Sequence, residues 1–425
     1  MNKAYKFRIY PNEEQKILIA KTFGCVRFIY NKMLGDKIEY YHQTHKKLNN
    51  TPAQYKTEFE WLKEVDSLAL ANAQMNLQDA YNNFFRDKKV GFPKFKSKKG
   101  SKKSYTTNCV NGNIIVRDGM IRLPKLGFVK MKQHRNIPDD YKLKSVTISQ
   151  NASGKYFASI LFEYEEEITA KKLENFIGLD FSMHELYVDS NGNCPQFPRY
   201  YRLSEKKLKR EQRKLSKMVK GSKNREKQRI RVAKLHEKVA DQRKDFLHKQ
   251  SRQIANVYDC VCIENLNMKA MAQSLNFGKS VSDNGWGMFT TFLKYKLEEL
   301  GKRLVKTDKF FASSQLCSVC GYQNPDTRDL SIREWTCPCC KAHHNRDINA
   351  AVNIRNEGMR IALAKNQNKN RGTHGDSSLI LYGLPYLSEK PPPLSVSVGG
   401  WSMSLCGNYE NVNNSISIIP HEIPC

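Results

Sequence analysis

Apolar and polar positions change rhythm several times along the chain, and those changes outline its elements. Lys3–Tyr10 alternate, with Tyr5, Phe7 and Ile9 on one side and Lys6, Arg8 and Tyr10 on the other. That is the period of a half-buried strand with a basic outer face. Pro11–Gln15 reads as a helix start, with Asn12 at the cap and Gln15 three residues on. Helical spacing of Ile17, Ile19, Phe23, Val26, Phe28, Ile29 and Leu34 carries to about Tyr41. A second helix opens near Thr51-Pro52. A third spans Ser67–Phe85 and is expected to turn Leu68, Leu70, Ala71, Met75, Leu77, Tyr81 and Phe85 into a core. From Asn113 to Glu165 the period returns to two, with a hairpin turn at Arg117–Met120 and strands at Lys144–Ser149 and Lys155–Tyr164. A strand, then helices, then more strands predict a small barrel interrupted by a helical insertion.

Past a charged linker at Glu165–Lys172, Phe176–Phe181 is an apolar strand carrying one acid, Asp180, and Glu185–Ser190 follows it. Tyr201–Val257 is helical and very basic, broken at Gly221-Ser222. Val232, Leu235, Val239 and Phe246 form a narrow seam, so a helical hairpin is expected. Tyr258–Leu266 is a second β-type run and ends in Glu264. Trp286, Phe289, Phe292, Leu293, Leu297 and Leu300 mark a core helix, and Leu304–Lys306 a further strand. Beyond Asn356, residues 357–425 are expected to be a largely irregular tail, with no role for Cys406 or Cys425.

Charge changes the picture. The chain of 425 residues carries 71 Lys and Arg against 42 Asp and Glu, a formal net charge of +29. Such an excess points to a polyanionic partner, nucleic acid above all. No run is apolar enough to span a membrane and no signal-peptide core opens the chain, so no membrane partner is expected. Twelve cysteines without a secretory signal suit a reducing cytoplasm. Aromatics interleave with lysines at Gly91–Lys103, a pattern that can stack on bases and pair with phosphates. Phe92, Lys94, Phe95 and Lys96, together with Tyr5, Arg8 and Asn31, are the candidate nucleic-acid contacts.

Two chemistries stand out. Cys317/Cys320 and Cys337/Cys340 are paired Cys-x-x-Cys knuckles with sixteen residues between them, the spacing of a four-thiolate structural zinc site. Cys339 is left spare, and His343 and His344 are not needed once four sulfurs close the shell. The second chemistry is acidic. Asp180 and Glu264 lie at apolar strands, where an unpaired carboxylate is costly. Asp347 opens a helix that Asn345 can cap. Three carboxylates at one point would repel one another unless cations shared them. Two Mg²⁺ ions are the usual solution for in-line phosphodiester cleavage, one for the attacking water and one for the departing oxygen. No Ser-His-Asp set, Cys-His pair, P-loop or dinucleotide glycine motif is present.

The motifs IGLDFS (177–182), IENLNMKAM (263–271), SSQLCSVCG (313–321), REWTCPCC (333–340) and HNRDINAAVNI (344–354) together resemble the TnpB (OrfB) proteins of insertion sequences. YKFRIYPNEEQ and GFPKFKSKK fit the same family, and the likeness runs from about Ala4 to Asn356. The resemblance implies an α+β multidomain chain. Residues 1–165 would form a wedge β-barrel with a helical recognition insertion at about 12–90. Residues 166–356 would form an RNase H-like (RuvC) nuclease domain holding the helical hairpin (about 201–257) and the zinc ribbon (about 313–344). It implies an RNA-guided DNA endonuclease, related to type V CRISPR effectors. The partners would be a guide RNA from the element's end and double-stranded target DNA beside a short adjacent motif. One chain per RNA is expected. Asp180, Glu264 and Asp347 match the family's acids (two Mg²⁺), and the four cysteines match its ligands (one Zn²⁺). One departure is Asn345, where the family usually has a second acid. A non-cutting RNA-guided repressor and a DNA transposase are the alternatives. A repressor is expected to have lost acids that are all present here.

Overall fold

The computed structural model describes residues 1–87, 89–100, 102–274, 278–329 and 331–370. In chain order, β1 (Asn2–Tyr10) leads into α1 (Glu13–Thr44), the single turn α2 (Tyr55–Glu58) and α3 (Ser67–Arg86). Six strands follow: β2 (Lys103–Asn108), β3 (Ile115–Arg117), β4 (Met120–Leu123), β5 (Gly127–Lys132), β6 (Lys142–Gln150) and β7 (Tyr156–Glu163). The capping box forms as the sequence predicts: Asn12 Oδ1 accepts from the Gln15 amide at 2.8 Å, and Gln15 Oε1 accepts from the Asn12 amide at 3.1 Å. The same Gln15 donates to the carbonyls of Leu126 and Phe128, tying the helix start to the sheet.

The seven strands make one antiparallel sheet in the order β2-β6-β7-β1-β5-β4-β3. The predicted turn joins β3 to β4, with Arg117 opposite Met120 and positive φ at both Asp118 and Gly119, as a tight primed turn requires. Tyr5, Phe7 and Ile9 enter a core with Ile121, Val129, Val146, Ile148, Ile160 and Phe162. Among the described residues the edge strands β2 and β3 do not pair with each other. The expected barrel is therefore a curled sheet whose strands share one core while its two edges stay unpaired with each other among the described residues. Its β2 end is covered by helices instead, with Phe23 of α1 against Tyr105 of β2 at 5.9 Å and Ala69 of α3 in the same core. The helices α1 and α3 share a second core around Ile29, Met33, Leu34, Leu62, Leu70 and Leu77. Of the residues expected in that core, Leu68 and Ala71 lie outside it half-buried, and Met75 and Phe85 face water, 56% and 76% exposed.

The second half begins with β8 (Phe176–Phe181) and β9 (Tyr187–Asp189). The hairpin α4 (Tyr200–Lys217) and α5 (Lys223–Val257) follows, turning at Gly221 with φ +88° and capped by Ser222. Then come β10 (Cys260–Ile263), α6 (Met268–Ser274), α7 (Gly278–Asn284), α8 (Trp286–Glu299), β11 (Arg303–Lys306), β12 (Glu334–Thr336), β13 (His343–Asn345) and α9 (Arg346–Asn370). The four-stranded sheet runs β11-β10-β8-β9, parallel except for β9. Trp286, Phe289, Leu293 and Leu297 of α8 cover one face with Leu247 and Ile254 of α5, and α9 covers the other. Fully buried strands with no alternation are what a sheet sandwiched between helices demands.

The helix α9 corrects the tail boundary. Its helical spacing continues through Ile354, Ile361 and Ala362, which pack on Cys260, Cys262 and Val305. Residues 357–370 are therefore helical, and the rest of the expected tail, 371–425 with Cys406 and Cys425, lies outside the described residues. No described helix is long and apolar enough to cross a membrane.

Candidate active site

Register brings the first two acids together. In the parallel pair β8/β10, Cys262 lies opposite Gly178 and Ile263 opposite Leu179, so the next step places Glu264 beside Asp180. Neighbouring strands lie about 4.8 Å apart. Both acids sit at the carboxyl ends of parallel strands, the edge where α/β sheets bind ligands.

Gly178 sets the third. A Cβ at that position would lie 2.0 Å from the Ala351 carbonyl oxygen and 2.7 Å from the Arg355 amide nitrogen, so α9 rests directly on the bare backbone of β8. Asp347 is one turn before Ala351 on the same helix face, a step of about 6 Å. Asp180 is two residues beyond Gly178 on the same strand face, a step of about 6.6 Å. The two steps match, which draws Asp347 toward Asp180. At the far end, Gly358 performs the same role over β10, where a Cβ would meet Cys262 Sγ at 2.3 Å.

The electrostatics agree. Burial, followed by the negative charges of Glu264 and Asp347, pushes the Asp180 carboxyl well above the usual carboxylate range; the nearby Arg346 opposes this. Burial also raises Glu264, against a hydrogen bond donated by the Ser313 hydroxyl to Glu264 Oε1. Asn345 caps α9, its Oδ1 accepting from the amides of Asp347 (3.1 Å) and Ile348 (3.2 Å). The exposed Arg333 guanidinium stands 3.6 Å from Asp347 Oδ2. Asp180, Glu264 and Asp347 thus feel one another's charge, yet among the described residues their oxygens are not gathered closely enough to form a ready metal-holding group of three; carboxylate oxygens are the donors hard divalent cations take.

The ribbon is built from two matching knuckles. Cys317 N donates to Tyr322 O and Cys337 N to Ala342 O; Gly321 N and Lys341 N return to Cys317 O and Cys337 O. Gly321 and Lys341 both take positive φ, +75° and +62°, which curls each knuckle around its sulfurs. Across the knuckles Cys317 Sγ is 3.6 Å from Cys340 Sγ, and Cys320 Sγ is 3.5 Å from Cys337 Sγ. All four sulfurs lie within 4.8 Å of one another, the one cluster of three or more such ligands among the described residues. Tetrahedral Zn–S bonds of 2.3 Å would set sulfurs about 3.8 Å apart, so four thiolates fit one zinc. Burial opposes ionisation of Cys337, yet the amides of Cys340 and Cys339 outweigh it and bring the thiol to about 7. His344 is buried with Nε2 3.0 Å from Cys317 Sγ, beside the sulfur cluster.

Ribbon and acids are connected. Asn349 Nδ2 donates to Leu316 O while its Oδ1 accepts from Ser318 N, and Asn353 donates to the carbonyls of Ser313 and Leu316. Thus α9, which carries Asp347, also holds the chain entering the first knuckle, and that chain includes the Ser313 bound to Glu264. Sequence reasoning missed Ser313, Arg333, Gly178 and these two asparagines. The four-residue spacing of Asn349 and Asn353 beside an apolar stripe was the available signal.

The nucleic-acid candidates scatter. Tyr5 is corrected: its ring is a core residue, 5.6 Å from Phe162, because it sits on the inward phase of β1. Arg8 is half-buried, its guanidinium over the Tyr10 ring at 5.2 Å. Asn31 faces the polypeptide, accepting from Lys96 N (2.8 Å) and donating to Lys96 O (2.9 Å). The Lys96 ammonium packs over Tyr30 at 3.6 Å. Lys94, Phe95 and Lys96 line a cleft of about 890 Å³ with Arg27, Asn72 and Asn76. Phe92 faces a different groove.

A mixed α/β chain with a seven-stranded antiparallel sheet, a four-stranded mainly parallel sheet and an inserted Cys₄ ribbon has known counterparts. The fold is shared with Cas12f1 in its complex with guide RNA and target DNA, at a TM-score of 0.50 and 14% identity, covering 84% of this chain and 98% of that one. Family models match in three places: one described as "Probable transposase" over residues 159–275, the Cas12f1-like TNB domain over 286–354, and a helix-turn-helix domain over 1–47. A protein of Streptomyces pristinaespiralis, provisionally named an RNA-guided DNA endonuclease, is 34% identical over 84% of this chain and 90% of its own length. InsQ of Escherichia coli K12, similarly named, is 29% identical over 83% and 91%. The chain belongs to the TnpB (OrfB) family.

Proposed function

We propose that this chain is an RNA-guided DNA endonuclease of a transposable element, cutting target DNA beside a short adjacent motif. The observation that supports the reading is the β8/β10 register, which sets Asp180 and Glu264 side by side at the carboxyl edge of the parallel strands, with Asp347 near enough for its charge to act on Asp180. The names carried by the S. pristinaespiralis and E. coli relatives support the same activity.

In this reading Asp180, Glu264 and Asp347 would hold two Mg²⁺ ions, whose chemistry when bound would be activation of water and stabilisation of negative charge on the departing 3′ oxygen. Each residue's part follows from its surroundings. Burial and mutual repulsion make Asp180 a strong seeker of cations. Ser313 occupies one oxygen of Glu264 and so orients the other. Asn345 holds the first turn of α9 and with it Asp347. The ribbon binds one structural Zn²⁺ through Cys317, Cys320, Cys337 and Cys340.

We further assign 1–165 to a wedge and recognition region and 166–356 to a RuvC-like nuclease domain. The protein would act as one chain with one guide RNA in the cytoplasm. Base pairing would carry target choice, while the protein reads shape, phosphates and the adjacent motif. The test is Asp180→Ala in the protein purified with RNA expressed from its own locus. Cleavage of a matching plasmid with Mg²⁺ should vanish while RNA and target binding persist; full cutting by that variant refutes the assignment.

A further inference from the structure

Residues that periodicity places in a core yet the fold leaves in water mark a surface with a use. Phe85, 76% exposed, is the clearest case, and it is not alone. The carboxyl-terminal halves of α1 and α3 diverge to form a groove of about 580 Å³, whose lining includes Tyr41, Tyr81, Phe84, Phe85 and Phe92. The rings brace one another: Tyr81 stacks near Phe85 at 17° and 6.3 Å, and Phe92 stands edge-on to both Tyr81 (5.6 Å) and Phe84 (5.4 Å). Lys37 Nζ donates to Leu48 O at 2.6 Å and so holds the 46–48 loop as the opposite wall, with the exposed Lys46 and Lys47 at its rim. Among the described residues no acidic side chain lines it.

We infer that this groove takes unpaired nucleotides of RNA, an inference that rests on the reading of the chain as an RNA-binding protein. Ring faces accept bases of any sequence, and lysines at the rim neutralise the phosphates between them. Two helix carboxyl ends would by themselves repel phosphate, so the lysines are required. A second copy of this chain is disfavoured as occupant, because it would bring its own excess of +29 against a basic rim. Single strands displaying splayed bases are what sequence-tolerant RNA recognition uses, and the amide side chains of Gln78 and Asn82 in the lining can meet a 2′-hydroxyl.

The experiment uses the full chain freed of nucleic acid and a single-stranded RNA of about ten nucleotides with a central 4-thiouridine. Crosslinks are expected in peptides covering 37–48 and 81–92. The Tyr41→Ala/Phe85→Ala variant should bind at least about fivefold more weakly, the lower end for losing a stacked base, and lose those crosslinks. Phe85→Trp should retain both, and an RNA duplex of equal length should not compete. Since Tyr41 and Phe85 are exposed, the double variant should melt as the parent does. Unchanged affinity, crosslinks elsewhere, equal competition by duplex, equal binding of the same sequence as DNA, or a dimer lost in the double variant would each overturn the groove assignment and leave the nuclease reading standing. Absence of any RNA affinity would overturn both.

Discussion

Gly178→Ala offers the most direct way to separate the placing of the acids from their presence. The substitution leaves every carboxylate in the chain and adds one methyl group. That methyl would stand 2.0 Å from the Ala351 carbonyl oxygen, which must retreat by about 1 Å merely to reach the shortest contacts real Cβ atoms show. The obstacle is helix backbone, which no rotamer change relieves. Overpacking commonly costs about 1–3 kcal/mol, and a backbone obstacle belongs at the upper end. The melting temperature should therefore fall by roughly 5–10 °C. A helix lifted by this amount carries Asp347 away from Asp180 by a similar distance, and a misplacement of about 1 Å can reduce a rate about a hundredfold. The assay is single-turnover cleavage of a matched plasmid at saturating Mg²⁺, well below both melting temperatures, with target binding measured alongside. The expected result is cleavage about a hundredfold slower with target binding unchanged. A variant that melts and cuts like the parent would refute the claim that α9 sets the site through this contact.

Two further outcomes follow from the same site and from the ribbon. Asp180→Asn should raise the melting temperature of the protein without added Mg²⁺ at neutral pH by a few degrees. The folded carboxyl is raised above its unfolded value, so the penalty on the parent grows as pH rises through the folded pKa and disappears below about pH 4; the gain should vanish there too. A gain independent of pH would count against charge repulsion as the cause. Cys317→Ser should release zinc and loosen the start of α9, seen as faster amide exchange at Ser318 and Asn349, since Asn349 is hydrogen-bonded to the knuckle. One zinc per chain retained by that variant would argue against the four-sulfur site.

Much of this architecture could be read from the chain itself, for physical reasons. The strand Phe176–Phe181, the capping box at Asn12, the Arg117–Met120 turn and the two knuckles are local signals, each decided within a few residues. What escaped depends on distant partners. Tyr5 alternates in step with its strand, and its inward phase places it in a core that also needs Phe162 and Tyr141. Phe85 has helical phase but lies near the end of α3, where it meets the Tyr81 and Phe84 rings and still faces water. Ser313 and Gly178 acquire meaning only once Glu264 and α9 lie against them. The barrel expectation holds as a curled sheet around one core but not as closure, since among the described residues the three-residue β3 and the helix-covered β2 do not pair.

The order of the acids along the chain carries a consequence for synthesis. Asp180 and Asp347 are 167 residues apart, with Glu264 roughly midway. At about 5–20 residues per second, a ribosome needs on the order of ten to thirty seconds between them. For the first half of that interval β8 lacks its parallel neighbour β10, and for all of it the helix that rests on Gly178. If the proposed function holds, a nascent or truncated chain that displays its amino-terminal sheet and basic helices would engage nucleic acid without the means to cut it. On the proposed function, competence to cleave would arrive only with α9, after most of the proposed RNA-binding surface has left the ribosome.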